Sequence, residues 1–270
     1  MAITNFQDEV WSAQLLSSLK KSHIFAGPGV VNRNYEGEIA SSGDTVRITS
    51  ISRPTVATYT KDSTTITPET LTDAQRTLLI DQSKYFAFEV DDIDLRQAKS
   101  GGALMDEAAM EAAYALADAA DQYVASLYVG VDSANAISTT SITSAALAVS
   151  NILALKTRLD VANVPKAGRY VIIPPWYEAL LLSSDLFVRV DASGSDGALR
   201  NGVTGRAFGF DVIVSNNCVN VTGDDWIVQA GYPGAISFAE QIAKVEAYRP
   251  ESAFSDALKG LHLYGAKLVR

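Results

Sequence analysis

Residues 46–62 have the sequence VRITSISRPTVATYTKD, which begins with alternating apolar and polar side chains and then becomes rich in threonine. Alternation with a period of two is typical of a β-strand that buries one face. Pro54 cannot donate a hydrogen bond to a neighbouring strand, so the strand either bends there or lies at a sheet edge. Such a polar ribbon contributes little to a core of its own.

The chain after this ribbon predicts a second strand that pairs with it. Residues 61–77, KDSTTITPETLTDAQRT, are polar and rich in turn-forming residues. In residues 84–95, KYFAFEVDDIDL, the apolar Phe86, Phe88 and Val90 alternate with small or charged side chains. We therefore predict a long two-stranded hairpin with a polar tip. Because a lone hairpin is only marginally stable in water, this one must pack on something.

The pattern changes to a helical period in residues 103–129. The predicted helix has about 26 residues and is about 40 Å long. Its acidic residues, Asp121 among them, lie mostly away from one apolar stripe, and no reactive group is placed along it. Its many alanines permit close approach by a neighbouring element. The apolar stripe consists of Met105, Ala109, Ala112, Leu116, Ala119, Tyr123 and Leu127.

The remainder of the chain alternates between helix and strand patterns. We expect an α/β unit at residues 138–231, in which Thr143 or Ser144 caps a helix and Pro175 opens another. The predicted elements are a helix at 143–160, a strand at 169–175, a helix at 176–183, strands at 208–217 and 225–231, and two return strands within 235–250 and 258–269.

The N-terminal segment predicts a short amphipathic helix at residues 6–21, FQDEVWSAQLLSSLKK, with acids early and lysines late. Residues 26–37, AGPGVVNRNYEG, contain glycine and proline without periodicity, so we expect an irregular tether. So short a helix does not fold alone. We expect Trp11, Leu15 and Leu19 to dock on the long helix of the same or an adjacent copy.

Composition limits the classes of function. The chain has 270 residues, 47% of them hydrophobic, and can bury a substantial core in one elaborate domain or two smaller ones. Its formal net charge of −9 argues against a general nucleic-acid binder. The single cysteine, Cys218, excludes an intramolecular disulfide and a cysteine-based zinc site. No export signal or membrane-length apolar run is present, so we expect a soluble chain made in the cytoplasm.

Candidate chemical groups are few, and each has a simpler structural interpretation. His23 and His262 belong to no recognisable catalytic motif, and we expect both to be structural. The acidic run Asp91–Asp94 is better explained as a solvated face or a cap than as a metal site. In residues 191–197, DASGSDG, the glycine stands at the seventh position of a calcium-loop pattern and no glutamate closes the loop. We therefore predict no catalytic, cofactor-binding or metal-binding residues.

The order of these parts resembles the major capsid (coat) protein of tailed double-stranded DNA bacteriophages, which has the Hong Kong ninety-seven fold. The resemblance runs over nearly the whole chain and depends on the succession of its parts. The stretches that carry it are TVRITSISRPTVATYTKD, YFAFEVDDIDLRQA, the alanine-rich helix, RYVIIPPWYEALLLSSDLF, GVTGRAFGFDVIVSNN and ALKGLHLYGAKLVR.

The resemblance implies an α+β subunit with four named parts. Residues 1–36 would be an N-terminal arm and 37–90 an extended β-hairpin loop that lies across an adjacent subunit. Residues 91–137 with 232–270 would form a peripheral domain that contains the long spine helix. Residues 138–231 would form an axial domain that meets its copies around fivefold and sixfold axes.

The resemblance also implies a function and partners. The chain would be a structural protein with no enzymatic activity, cofactor or membrane association. It would assemble as pentamers and hexamers into an icosahedral shell that encloses phage DNA without sequence-specific binding. It would be made in the bacterial host cytoplasm and end in the virion. Because the arm begins almost at Met1, the scaffold would be a separate scaffolding protein or there would be none, and a portal protein would be a further partner.

Inter-subunit contacts follow from the same assignment. The arm, the extended loop and the turn at residues 248–256, which would meet neighbours near threefold axes, each contribute candidates. These residues are Trp11, Leu15, Leu19, Arg53, Tyr59, Lys61, Asp62, Arg76, Arg249, Glu251, Phe254 and Asp256.

The sequence is also compatible with two other functions. A bacterial encapsulin-type nanocompartment shell protein shares the fold and differs mainly in loading an enzyme. A soluble enzyme with an undescribed site in the α/β unit is the second alternative, and it leaves the ribbon unexplained.

Overall fold

The fold is taken from a computed structural model, which describes residues 24–34, 45–51, 54–63, 65–66, 68–70, 73–91, 101–184, 205–251 and 254–269. Helices and strands alternate irregularly along the chain, with short 3-10 turns at Leu127–Gly130 and Ser133–Asn135. The elements are β1 (Thr45–Ile51), β2 (Asp73–Leu79), β3 (Gln82–Asp91), α1 (Gly101–Ser126), α2 (Ala145–Val161), β4 (Tyr170–Ile173), α3 (Pro175–Leu182), β5 (Arg206–Ala207), β6 (Phe210–Val214), β7 (Asn220–Thr222), β8 (Asp225–Trp226), β9 (Gln229–Gly231), β10 (Ile236–Tyr248) and β11 (Ser255–Leu268).

The long helix α1 packs on a three-stranded antiparallel sheet of order β10–β11–β3. Alternation along β3 turns Phe86 and Phe88 toward α1, where they pack beside Leu258 of β11. Gly260 makes this packing possible, because a Cβ atom there would lie 2.3 Å from the Phe86 ring. The predicted long helix and both return strands are confirmed.

The apolar stripe predicted on α1 is partly wrong. Ala109 and Leu116 are buried as expected, but the buried face continues through Ala113, Ala120 and Val124. Alanines occur on several sides of this helix, so the periodicity alone does not fix which side is covered. Asp121 was expected to lie away from the core, yet only 2% of its surface is exposed.

The α/β unit has the sheet order β5–β6–β4–β9, in which β4 and β6 are parallel. All four residues of β4 are buried, because the two faces of this strand pack into two different hydrophobic clusters. Val171 and Ile173 pack with α2 and α3, whereas Tyr170 and Ile172 pack with α1 and the β10–β11 strands. The strand thus joins the α/β unit to the long helix.

The predicted helix boundaries in this unit are confirmed. Ser144 is the N-cap of α2, and its hydroxyl oxygen accepts a hydrogen bond from the Leu147 backbone N–H at 3.4 Å. Pro175 occupies the first turn of α3, where its missing N–H costs nothing.

The predicted hairpin partner is wrong. β1 pairs with β2 in the register Thr45↔Leu79 to Ile51↔Asp73. β3 pairs instead with β11. The sequence of β2, DAQRTLL, begins with polar residues, and for this reason the segment was interpreted as turn-rich and not as a strand. The alternation in β3 is real, but it reflects packing on α1.

The paired strands β1 and β2 form the two-stranded ribbon, with its tip between the two strands and its base at the end of β2. This base packs against β10 and β11 of its own subunit. Leu78 and Ile80 are buried against Ala239 and Leu263. A Cβ atom at Gly265 would lie 2.3 Å from the Leu79 carbonyl oxygen and 3.0 Å from the Ile80 Cα atom. The ribbon backbone therefore crosses β11 at Gly265, where that strand has no side chain.

Gly265→Ala should destabilise the subunit by about 1–3 kcal/mol, because backbone atoms of the ribbon cannot move aside without losing their contacts. The measurement is urea unfolding of the free subunit. Gly29→Ala is the matched control, since a Cβ atom at Gly29 would meet nothing within 4 Å. Equal unfolding midpoints for the two variants would show that the ribbon does not cross β11 as closely as this.

Candidate assembly surfaces

Residues 24–34, here called the strap, lie against α1 and β10. The segment consists of turns and bends, so the irregular backbone predicted for it is confirmed. Its burial was not predicted, because Phe25, Ala26, Val30 and Val31 all belong to the main hydrophobic core. The strap is therefore part of the subunit core rather than a loose tether.

Asp121 of α1 holds the first residues of the strap. Its Oδ1 atom accepts hydrogen bonds from the backbone N–H groups of Ile24, Phe25 and Ala26 at 2.9, 2.5 and 3.2 Å. Its Oδ2 atom accepts one from Asn217 Nδ2, just after β6, at 3.0 Å. Four donors thus compensate a buried carboxylate, which joins the strap, α1 and the α/β unit.

The other end of the strap is held by β10. The Asn32 N–H donates to the Ile236 carbonyl at 2.8 Å, and the Phe238 N–H donates to the Asn32 carbonyl at 2.9 Å. Arg33 Nη1 forms a 2.9 Å salt bridge with Glu240 Oε1. The strap therefore extends the edge of the β10–β11–β3 sheet by one short bridge.

His262 lies beside this salt bridge. Its Nε2 atom is 3.3 Å from Glu240 Oε2, and both side chains are buried. The histidine is thus enclosed within the packed sheet. His23 lies outside the described residues.

Asp121→Ala should lower the free energy of unfolding by about 3 kcal/mol or more, because each buried N–H left without an acceptor costs about 1–3 kcal/mol. Urea unfolding of the free subunit measures it. Glu111→Ala, at an exposed position of the same helix, is the control and should shift stability by no more than about 0.5 kcal/mol. Similar losses for both variants would contradict the role given to Asp121.

Cys218 provides a chemical probe of this core. Burial, with a smaller contribution from the nearby Asp121 carboxylate, raises the pKa of the Cys218 thiol to about 12. The thiol is therefore protonated and enclosed at pH 8, and we predict no reaction with a thiol reagent until the subunit unfolds. Reagent absorbance with and without urea tests this, and rapid labelling of the native subunit would contradict it.

The tip of the ribbon is exposed throughout its described residues, 54–63, 65–66 and 68–70. The Thr55 N–H donates to Glu69 Oε2 at 2.8 Å, which ties the two sides of the tip together. Val56, Tyr59 and Ile66 are 95%, 64% and 76% exposed. Three large apolar groups at one polar tip are unusual on a surface that stays in water.

Among the predicted contact residues of the ribbon, Tyr59, Lys61 and Asp62 all lie on this exposed tip. Asp62 has φ of 63°, the left-handed conformation that shapes the turn. Arg76 lies on β2, but its side chain is outside the described residues, as is Arg53. The predicted arm residues Trp11, Leu15 and Leu19 also lie outside them.

The turn between β10 and β11 carries the other predicted contacts. Arg249 Nη1 lies 3.8 Å from Asp256 Oδ1, so these two residues are brought together as expected. Both are largely solvated, and such a pair contributes little to the stability of a free subunit. Phe254 is 81% exposed and Glu251 is also exposed. An aromatic ring held at a turn in this way is suited to a contact with another molecule.

Charges on the outer face of the β10–β11–β3 sheet, opposite α1, are paired within the subunit. Glu246 forms salt bridges with Lys244 and with Lys259, the latter at 2.8 Å. Their hydrogen bonds lower the pKa of Glu246 to about 2. Lys259 Nζ also lies 5.0 Å from the Tyr248 ring centre. The Glu246 carboxylate is therefore ionised at neutral pH.

No metal centre is found in the part of the chain that the structure describes, where no group of three or more His, Cys, Asp or Glu side chains could hold an ion. The acidic run after β3 is described only at Asp91, and residues 191–197 lie outside the described ranges. None of the helices in those ranges has the length and apolar character needed to cross a membrane.

Comparisons with known proteins match most of the chain. The model of a family described as phage capsid protein matches residues 52–270. A solved structure from Mycobacterium phage Che8 is 34% identical, with a TM-score of 0.75 over 92% of this chain and 88% of that chain. No curated protein sequence matches significantly.

More distant structures share the fold. The capsid structure of the cyanophage P-SCSP1u is 18% identical, with a TM-score of 0.68 over 92% of this chain and 85% of that chain. A virus-like particle from Pyrococcus furiosus is 14% identical, with a TM-score of 0.58 over 97% of this chain and 95% of that chain. At these identities the likeness concerns the fold alone.

Proposed function

The chain belongs to the phage capsid protein family, and from this premise we propose which of its surfaces build the shell. It has the Hong Kong ninety-seven fold and serves as a major capsid subunit, a structural component of the virion that assembles with copies of itself. The observation that carries this conclusion is the family match over residues 52–270 together with 34% identity to a phage structure.

The alternatives have less support. An encapsulin-type shell shares the fold, but the family match names phage capsids, and the virus-like particle from Pyrococcus furiosus is only 14% identical. The capsid family and fold also point to a structural role rather than to enzymatic activity.

Our proposed division of the subunit is an N-terminal arm, an extended loop, a peripheral domain around α1 and an axial domain at residues 138–231. The pairing of β3 with β11 favours ending the extended loop before Gln82, because β3 belongs to the sheet beneath α1. The burial of the strap favours ending the free part of the arm before Ile24.

The ribbon tip is proposed to pack on an adjacent subunit. Among the ribbon residues whose burial the structure describes, Leu78 and Ile80 at the base are the ones packed into their own subunit. The apolar groups of Val56, Tyr59 and Ile66 are left in water on a free subunit, which favours their burial in a shell. Burying each of them fully against a neighbour would contribute about 1.5–3 kcal/mol.

The turn between β10 and β11 is proposed to meet neighbours near a threefold axis. Phe254 would supply the apolar contact and the Arg249–Asp256 pair the charged one. A charge pair that is weak in water gains strength when a neighbouring copy excludes solvent from it.

The shell is proposed to enclose phage double-stranded DNA, with a portal and a separate scaffolding protein as partners and synthesis in the host cytoplasm. The net charge of −9 supports a lining that holds DNA without tight phosphate contacts.

Tyr59→Ala combined with Ile66→Ala should leave the subunit folded and reduce the fraction of protein in particles, because two apolar contacts are lost at every equivalent interface. Sedimentation through a density gradient measures that fraction. Thr58→Ala with Thr65→Ala is the matched control on the same tip, and it removes two small exposed side-chain ends, each a hydroxyl and a methyl group, and no large apolar group. If both double variants gave the particle fraction of the wild type, the ribbon tip would not be an assembly surface.

A further inference from the structure

One face of α1 is exposed although other sides of the helix pack on the strap and on the β10–β11–β3 sheet. Met110 and Tyr114, one helical turn apart, are 54% and 59% exposed. Glu111, Ala115 and Gln122 on the same side are exposed as well. We call this set the α1 outer face. Two large apolar groups so close together mark a surface suited to an amphipathic partner.

The charge of α1 limits which partner fits. Within residues 101–126 the sequence contains five acidic residues and no basic one. Glu111 is exposed, and Asp118 next to the α1 outer face accepts its hydrogen bonds from the neutral amides of Gln122 and Asn217. A partner with lysines beside an apolar stripe would therefore complement this helix in both charge and hydrophobicity.

The strap brings the preceding part of the chain to this place. The Ile24 N–H is bonded to Asp121 Oδ1 on α1, so the chain before Ile24 leaves the core from this helix. Only Ser22 and His23 separate Ile24 from the sequence FQDEVWSAQLLSSLKK at residues 6–21. Three Cα–Cα steps span at most about 11 Å, so Lys21 stays close to Asp121.

We propose that residues 6–21 form a helix that packs parallel to α1 on the α1 outer face of the same subunit. Trp11, Leu15 and Leu19 would cover Met110 and Tyr114, and Lys20 and Lys21 would lie near the acidic side chains of α1. The lengths agree, because Trp11 to Leu19 spans about 12 Å of helix and Met110 to Asp121 about 16 Å. This inference concerns the free subunit and does not depend on shell formation.

Cysteine cross-linking tests the proposal on the full chain. Leu15→Cys and Tyr114→Cys are introduced together and treated with a short bismaleimide, first on dilute subunits and then on particles. Cys218 is buried and stays unreactive, which also reports that the variant is folded. The expected product is an intramolecular bridge, seen as a faster-migrating monomer on a denaturing gel and as a linked peptide pair by mass spectrometry.

The control pairs Leu15→Cys with Tyr85→Cys. Tyr85 is 80% exposed, but alternation along β3 turns it away from the face that Phe86 packs against α1. It should give at least fivefold less intramolecular product. Lys20→Glu with Lys21→Glu should also lower the yield for the Tyr114 pair several-fold at low salt. A ladder of cross-linked multimers would show that residues 6–21 of another copy cover the α1 outer face. A yield equal to that of the control would show that residues 6–21 do not cover this face. Either result overturns the proposal.

Oxidation of Met110 gives a second measurement that needs no cysteine. The rate of its oxidation by dilute peroxide is compared between the wild-type chain and a chain that begins at Ser22 after an initiator methionine. We expect removal of residues 1–21 to raise the rate at Met110 several-fold, since its thioether becomes accessible. An unchanged rate in folded subunits would contradict cis docking of residues 6–21.

Discussion

The buried carboxylate of Asp121 joins three parts of the chain that are far apart in sequence. It accepts hydrogen bonds from the strap and from Asn217, and α1 carries it. A carboxylate in a core is stable only when donors surround it, so burial of the strap and the position of Asp121 depend on each other. Around this point Phe25 and Val30 pack with the second half of α1 and with β4. The α/β unit and the sheet beneath α1 are thereby held in one arrangement.

The sequence predicts those parts of the fold that have a local period. The long helix, the burial of β4 and the alternation in β3 each follow from side chains within one element. The partner of β1 does not, because strand pairing depends on contacts distant in sequence, and the polar residues of β2 resemble a loop. Glycine and proline at residues 27–29 correctly predict irregular backbone, but irregular backbone can still be buried, as Val30 and Val31 are.

The candidate assembly surfaces were predictable only in part. A polar sequence at a hairpin tip or a turn predicts that its side chains are exposed to solvent. Tyr59, Lys61 and Phe254 are exposed in the structure, as this predicts. Whether an exposed residue contacts a neighbouring copy depends on its own surface and on the surface of that copy. The local sequence pattern describes only the first of these. A buried acid on a helix, such as Asp121, gives no periodic signal either. The proposal that the ribbon tip is an assembly surface rests on a contrast: the base of the ribbon is packed around Leu78, whereas the apolar groups of the tip are exposed.

The central claim is that the strap completes the subunit core whereas the ribbon tip is completed only by a neighbouring copy. Hydrogen exchange measured by mass spectrometry on free subunits and on assembled particles tests both parts in one experiment. The account predicts slow exchange of peptides from residues 24–34 in both states. It predicts fast exchange at residues 54–63 in free subunits and markedly slower exchange there in particles. Fast exchange of the strap in free subunits, or of the ribbon tip in particles, would contradict it.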